Sequence, residues 1–217
     1  MIKKEHYLKW FSRILYLVIG VSFFLLFVLF SYLVHKDLFT QLDFDTTVRL
    51  QNNIPRAVDS IFSLLSRIGS FEVMSIVLVI LVILRRKWLA LGAFLFYVGF
   101  HLFEIYGKTF VEHFPPPQFM LRTESMVDFP QFHIRQENSY PSGHAGRAAF
   151  ITVFVGVWIL SSKKLSWRAK AVIMACLIAY DFIMFLSRVY LGEHWLSDVV
   201  GGALLGAGLS FLASVAL

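Results

Sequence analysis

The stretch Asn138–Leu160, NSYPSGHAGRAAFITVFVGVWIL, sets a polar turn directly against an apolar run. It holds a tight Pro-Ser-Gly turn, then His144 and Arg147, and from there the chain is hydrophobic. About 20 apolar residues are needed for a helix to cross a bilayer. The run Ala145–Leu160 falls short of that on its own, so the span extends upstream into the turn. A chain that enters a membrane through Pro-Ser-Gly-His places backbone donors and an imidazole at the membrane surface.

The rest of the composition agrees with a membrane setting. Of 217 residues, 58% are hydrophobic and 16% are charged, with 23 phenylalanines. A soluble domain has about 45–50% apolar and about 25% charged residues. The expected fold class is all-α, a polytopic membrane protein of six transmembrane helices. One domain over residues 1–217 accounts for the length. The net charge of +6 does not point to nucleic acid, because basic excess in a membrane protein marks its cytoplasmic loops. Cys176 is the one cysteine; it permits no internal disulfide and is expected to pack against neighbours.

Six apolar segments are expected to span: Ile14–Val34, Phe71–Leu84, Trp88–Tyr106, Ala145–Leu160, Ala171–Leu186 and Leu196–Leu217. Basic clusters at Lys3, Lys4, Lys9 and Arg13, at Arg85, Arg86 and Lys87, and at Lys163, Lys164, Arg168 and Lys170 then fall on one side. By the positive-inside rule that side is cytoplasmic, with both termini on it. The segments His35–Ser70, Gly107–Ser142 and Arg188–Trp195 face outward. Within the first of these, apolar residues at 54, 57, 58, 61, 65 and 68 share one helical face, which suits an interfacial helix or an extension of span two. Gly202 and Gly206 form a GxxxG pair that permits close helix packing.

The polar residues gather on the outward side at helix ends. Lys108 ends span three, Ser142-Gly143-His144 opens span four, Ser187-Arg188 ends span five, and His194 and Asp198 lead into span six. A helix N-terminus offers unpaired N–H groups and a positive dipole end to an anion. Gly143 lets that backbone come close, Ser142 caps or donates, and Lys108 and Arg188 add fixed charge. Together these describe a phosphate site. His194 and Asp198 lie four apart on one helical face, so a carboxylate on one ring nitrogen leaves the other free as a nucleophile. His144 is placed to protonate a leaving oxygen. No metal or other cofactor is called for. Each fragment has a plainer reading: an ordinary hydrogen-bonded pair for His-x3-Asp, a capped helix start for PSGH, a snorkelling Lys108, or a zinc site completed by His113 or His133.

PSGH at 141–144 and SR-x5-H-x3-D from Ser187 to Asp198 resemble the second and third motifs of the type-2 phosphatidic acid phosphatase superfamily. That superfamily includes lipid phosphate phosphatases, undecaprenyl diphosphate phosphatases and vanadium haloperoxidases. The resemblance implies His194 as nucleophile, Asp198 as its orienting acid and His144 as acid/base. It also implies Lys108, Ser142, Gly143 and Arg188 as phosphate ligands. The first motif departs from the family's K-x6-R-P: after Lys108 that spacing reaches Pro115 and Pro116, so the arginine is missing. Arg122, further along the same loop, is the expected replacement, with His113 a second candidate.

The implied substrate is a membrane lipid phosphate or diphosphate, an isoprenyl diphosphate or a phospholipid phosphate. The implied setting is the outer face of a bacterial plasma membrane, with the aromatic loop HFPPPQF at the entrance. The alternatives are a phosphotransferase on the same site or a non-catalytic binder or transporter. Glu104, one turn before Lys108, is expected to hold that lysine. His101 and Asp181 lie deeper in their spans, where ionisable groups are costly. Structural pairing or a proton relay accounts for them.

Overall fold

The computed structural model describes residues 2–85, 91–123 and 137–215, with the side chains of residues 2–9 left aside. Among these residues there is no strand. The helices are α1 (Ile2–His35), α2 (Thr40–Asn53), α3 (Asp59–Ile68), α4 (Phe71–Arg85), α5 (Gly92–Phe110), α6 (Gly143–Ser161), α7 (Trp167–Tyr190) and α8 (Leu196–Ser214). Within the described residues the expected apolar segments fall on helices, with ends shifted by a few residues where caps decide them; residues 88–90 and 216–217 of those segments lie outside the described residues. Ser142 and Ser166 accept from the third backbone N–H beyond them, starting α6 and α7 at 143 and 167.

α6 and α8 form the centre, each with 67% of its apolar window buried, whereas α1 and α7 show 11% and 6%. Glycine sets the approach of the two central helices. A β-carbon at Gly206 would lie 2.0 Å from the Gly146 carbonyl oxygen, and one at Gly202 would lie 2.2 Å from that of Ser142. The expected GxxxG contact is therefore a backbone-on-backbone crossing with α6. It also sets the two helix N-termini side by side, and Ser142 N donates to Asp198 O at 2.9 Å.

The outer helices turn leucine, valine and isoleucine outward: Leu25, Leu29, Ile76, Ile83, Leu95, Leu102 and Ile178 are all exposed. Lipid accepts such a surface as readily as a core does. Among the described residues four helices are long and apolar enough to cross a membrane, and a fifth is reached if α3 and α4, bent by 47° to one another, are counted as one broken span. α5 is the remaining expected span; it has 19 residues and carries His101, Glu104 and Lys108.

The outward segment His35–Ser70 is mostly helical: α2, with Asp43 and Thr47 buried, had no apolar stripe to announce it. α3 turns its apolar face out, with Ile61, Leu64 and Ile68 exposed, and buries Asp59, Ser63 and Ser66. The sequence left open which way the stripe faces; the polar face serves the interior. One expectation is corrected: Cys176 is exposed on α7 rather than packed.

Candidate active site

α8 begins where Asp198 folds back on its own first turn. Its Oδ2 accepts from Trp195 N at 3.0 Å and lies 3.3 Å from His194 Nδ1. That contact takes the Nδ1 proton of a neutral His194 and leaves the Nε2 lone pair without a partner among the described residues. The other oxygen, Oδ1, is 2.9 Å from Nδ1 of His113. One carboxylate thus serves two imidazoles from opposite sides. His113 continues to Asp43 on α2, whose Oδ2 is 3.6 Å from its Nε2. Asp43 in turn accepts from Ser197 N at 2.8 Å and Ser197 Oγ at 2.6 Å, capping α8 from outside.

Burial opposes charge on His113. The bonds to Asp198 and Asp43 outweigh it, and the ring is pushed up to about 9. At neutral pH His113 is an imidazolium between two carboxylates. A role for this side chain was expected, but as a phosphate ligand or a zinc ligand. Its place behind Asp198 rests on a contact 85 residues long, which no local pattern carries.

The PSGH turn seats on the end of α5. A β-carbon at Gly107 would lie 2.5 Å from Pro141 Cδ, and Asn138 Nδ2 donates to Lys108 O at 3.1 Å. Lys108 is thereby held beside the start of α6. Between them stands Glu104: its Oε1 would lie 2.0 Å from a β-carbon on Gly143 and is 3.5 Å from Lys108 Nζ. Oε2 meets His101 Nδ1 at 3.0 Å and Arg147 Nη1 at 3.5 Å. The expected Glu104–Lys108 pair exists and belongs to a larger cluster. Ser142 is fully buried, and its hydroxyl accepts from Ala145 N at 3.4 Å.

His144 lies under the break between α3 and α4. A β-carbon at Gly69 would lie 3.1 Å from His144 Cδ2. Arg188, Arg147 and Lys108, from three different helices, bring positive charge to bear on His144. Arg188, fully buried, bonds Ser66 on the polar face of α3 and forks onto Glu193, with Nη2 to Oε1 at 3.0 Å. Its Nε is buried and has no hydrogen-bond partner among the described residues. Burial raises Glu193, but Arg188 and the Thr123 hydroxyl at 2.5 Å outweigh it and hold the carboxyl below its usual range.

Arg122 is not in this group. It stacks over Tyr190 at 5.2 Å, donates to Tyr190 Oη at 3.1 Å and donates to Gln51 O at 3.0 Å. Asp181 pairs with Thr152 at 2.9 Å, away from the cluster. His133 lies outside the described residues, and among those described no three His, Cys, Asp or Glu side chains are gathered for a metal ion. Arg147, Glu193, Ser66 and Asp43 were given no role by sequence. Arg147, Ser66 and Asp43 work through partners distant in the chain, and Glu193 through Arg188 across the turn between α7 and α8; a buried arginine in a span is itself a signal.

The family model described as the PAP2 superfamily matches residues 77–217, which contain all three motif regions. The chain belongs to the PAP2 superfamily. Curated relatives include an undecaprenyl-diphosphatase of Sulfolobus acidocaldarius, 41% identical over 35% of this chain and 32% of that protein. They also include phosphatidylglycerophosphatase B of Bacillus subtilis, 36% identical over 39% of this chain and 42% of that protein. The matches thus span less than half the length of these relatives.

Among solved structures, the transmembrane PAP2 type phosphatidylglycerolphosphate phosphatase of B. subtilis superposes with a TM-score of 0.72 at 23% identity, covering 90% of this chain and 94% of that one. Aquifex aeolicus LpxE superposes with a TM-score of 0.59 at 25% identity, covering 80% and 94%. This PAP2 chain therefore has the PAP2 membrane phosphatase fold and is a multi-pass membrane protein.

Proposed function

We propose that this PAP2 protein is a lipid phosphatase that removes the terminal phosphate of an isoprenyl diphosphate or a phospholipid phosphate through a phosphohistidine. The observation that carries this is the His194–Asp198 contact, which leaves Nε2 unpartnered at the cationic centre formed around His144. His194 Nε2 attacks phosphorus while the bond from phosphorus to the lipid oxygen breaks, and His144 delivers a proton to that oxygen. Water then attacks the phosphohistidine, His144 takes its proton, and orthophosphate leaves. Lys108, Arg188, Ser142 and the Gly143 amide hold the phosphoryl oxygens, and no metal takes part.

The placement is a six-span domain in a bacterial plasma membrane, with both termini cytoplasmic and the site at the outer face. There a lipid tail stays in the bilayer while its phosphate enters the pocket. Phe114 and Phe119, 72% and 82% exposed, suit a loop that rests in the headgroup region.

The test is phosphate release by detergent-purified protein with chelator present, on undecaprenyl diphosphate, phosphatidic acid and phosphatidylglycerol phosphate. Release that survives chelation and vanishes in His194→Ala is the expected result. No release from any of the three by intact protein overturns the assignment, and release that requires an added alcohol acceptor makes the protein a phosphotransferase.

A further inference from the structure

Pro115 deprives the first motif of its guanidinium, and Arg122, the nearest arginine downstream, spends its donors on Tyr190 and Gln51. Another guanidinium does stand at the phosphate end of α6. Arg147 lies one helical turn beyond Gly143 and is 6% exposed. Its Nη1 would lie 2.8 Å from a β-carbon on Gly143, the same point that Glu104 Oε1 approaches to 2.0 Å. Nε donates to Gly69 O at 3.1 Å, and Gly69 also abuts the His144 ring, so the stem of Arg147 is anchored beside the expected acid. Nη2 makes no hydrogen bond among the described residues.

Charge counting shows why Arg147 is more than a counterion. Glu104 bears one negative charge and meets two permanent cations, Lys108 and Arg147, with His101 on its second oxygen. One positive charge is left over in a buried place, at a helix N-terminus whose dipole adds to it. A buried surplus charge of that kind is costly until an anion arrives. Meanwhile a carboxylate stands against Gly143, among the groups assigned to the phosphate.

We propose that Arg147 is the second phosphate-binding guanidinium of this site, replacing the arginine absent at Pro115, with Glu104 as the internal anion that holds it until substrate arrives. This rests on the phosphatase assignment above. The guanidinium comes from a rigid central helix rather than from a loop, so its fork is oriented before phosphate binds.

The experiment measures orthovanadate affinity by titration calorimetry and, separately, kcat and KM for lipid phosphate. Wild type, Arg147→Gln, Glu104→Gln/Arg147→Gln and Pro115→Arg/Arg147→Gln are compared, each in detergent. The double variant with Glu104 removes both charges and so guards against loss of fold from an unpaired carboxylate. Loss of one charged hydrogen-bond partner predicts a ten- to hundredfold weaker vanadate affinity in both Arg147→Gln and the Glu104 double variant, roughly. A comparable fall in kcat/KM is expected, with recovery of about tenfold when arginine is restored at position 115.

Vanadate affinity within twofold of wild type in folded Arg147→Gln, or in the Glu104 double variant, overturns the assignment. The two proposals fail separately. Arg147-dependent vanadate binding without lipid hydrolysis sinks the phosphatase and leaves Arg147 standing. Lipid hydrolysis with unchanged vanadate affinity in Arg147→Gln does the reverse.

Discussion

Replacing His113 by asparagine keeps a donor near Asp198 Oδ1 but removes the positive charge and the link to Asp43. The ring stands against Asp198 from α8 and Asp43 from α2, with Tyr140 edge-on at 6.5 Å and the Asn138 side chain on its backbone N–H. Raising the imidazole from 6.5 to about 9 corresponds to about 3 kcal/mol of preference for the charged form in the folded state. Because the folded value is raised, that stability is complete below pH 6.5 and is lost as pH climbs through about 9. At about 2–4 °C per kcal/mol for a chain of this size, the loss is roughly 6–12 °C in Tm. Thermal melts of detergent-purified wild type and His113→Asn from pH 6 to pH 10 isolate it. Wild type should fall across pH 6.5–9.5 relative to the variant, which starts lower and stays flatter. Activity adds a second readout: with Asp198 less firmly held, kcat should drop about tenfold while KM stays the same. Parallel melting profiles, or a variant with wild-type kcat, would refute the role given to His113.

Gly143→Ala would push a methyl group onto Glu104 Oε1 and Arg147 Nη1; phosphate release should fall at least about tenfold while the melting temperature stays near wild type. Gly206→Ala meets backbone rather than a flexible side chain, with the Gly146 carbonyl oxygen at 2.0 Å. Forcing α6 and α8 apart should cost about 1–3 kcal/mol, seen as a Tm lower by several degrees. Ser66→Ala removes a partner of the Arg188 guanidinium, and KM for lipid phosphate should rise about tenfold. Arg122→Ala should lower Tm but leave vanadate affinity within about twofold, since its donors bind Tyr190 and Gln51; a tenfold loss would return Arg122 to the phosphate.

Much of the site was legible because its parts are local. PSGH at a helix start is a short local pattern; His-x3-Asp is local too, although His194 stands just before the N-cap Trp195 rather than on the face of α8, and Asp198 in the first turn reaches back to it. What stayed hidden in the sequence shares a cause. The apolar stripe of α3 was visible, yet a stripe facing lipid and one facing a core read the same in sequence. Only the packed structure shows Ile61, Leu64 and Ile68 outside and Ser66 turned in to Arg188. α2 passed unnoticed because its polar residues are buried to cap another helix, with Asp43 holding Ser197 from 154 positions away.

By itself, then, the sequence determined a helical membrane protein, the positions of its apolar segments, and the motif residues at the mouths of its spans. Those properties depend on hydropathy and on spacing within a few turns. What the tertiary structure decided was partnership: Asp198 shared between His194 and His113, Arg188 forked onto Glu193, and Arg147 and Glu104 meeting at Gly143. These contacts arise where backbone meets backbone at Gly202 and Gly206 and draws the two helix N-termini together. A charge in the sequence declares its sign; which opposite charge it finds depends on how the helices close.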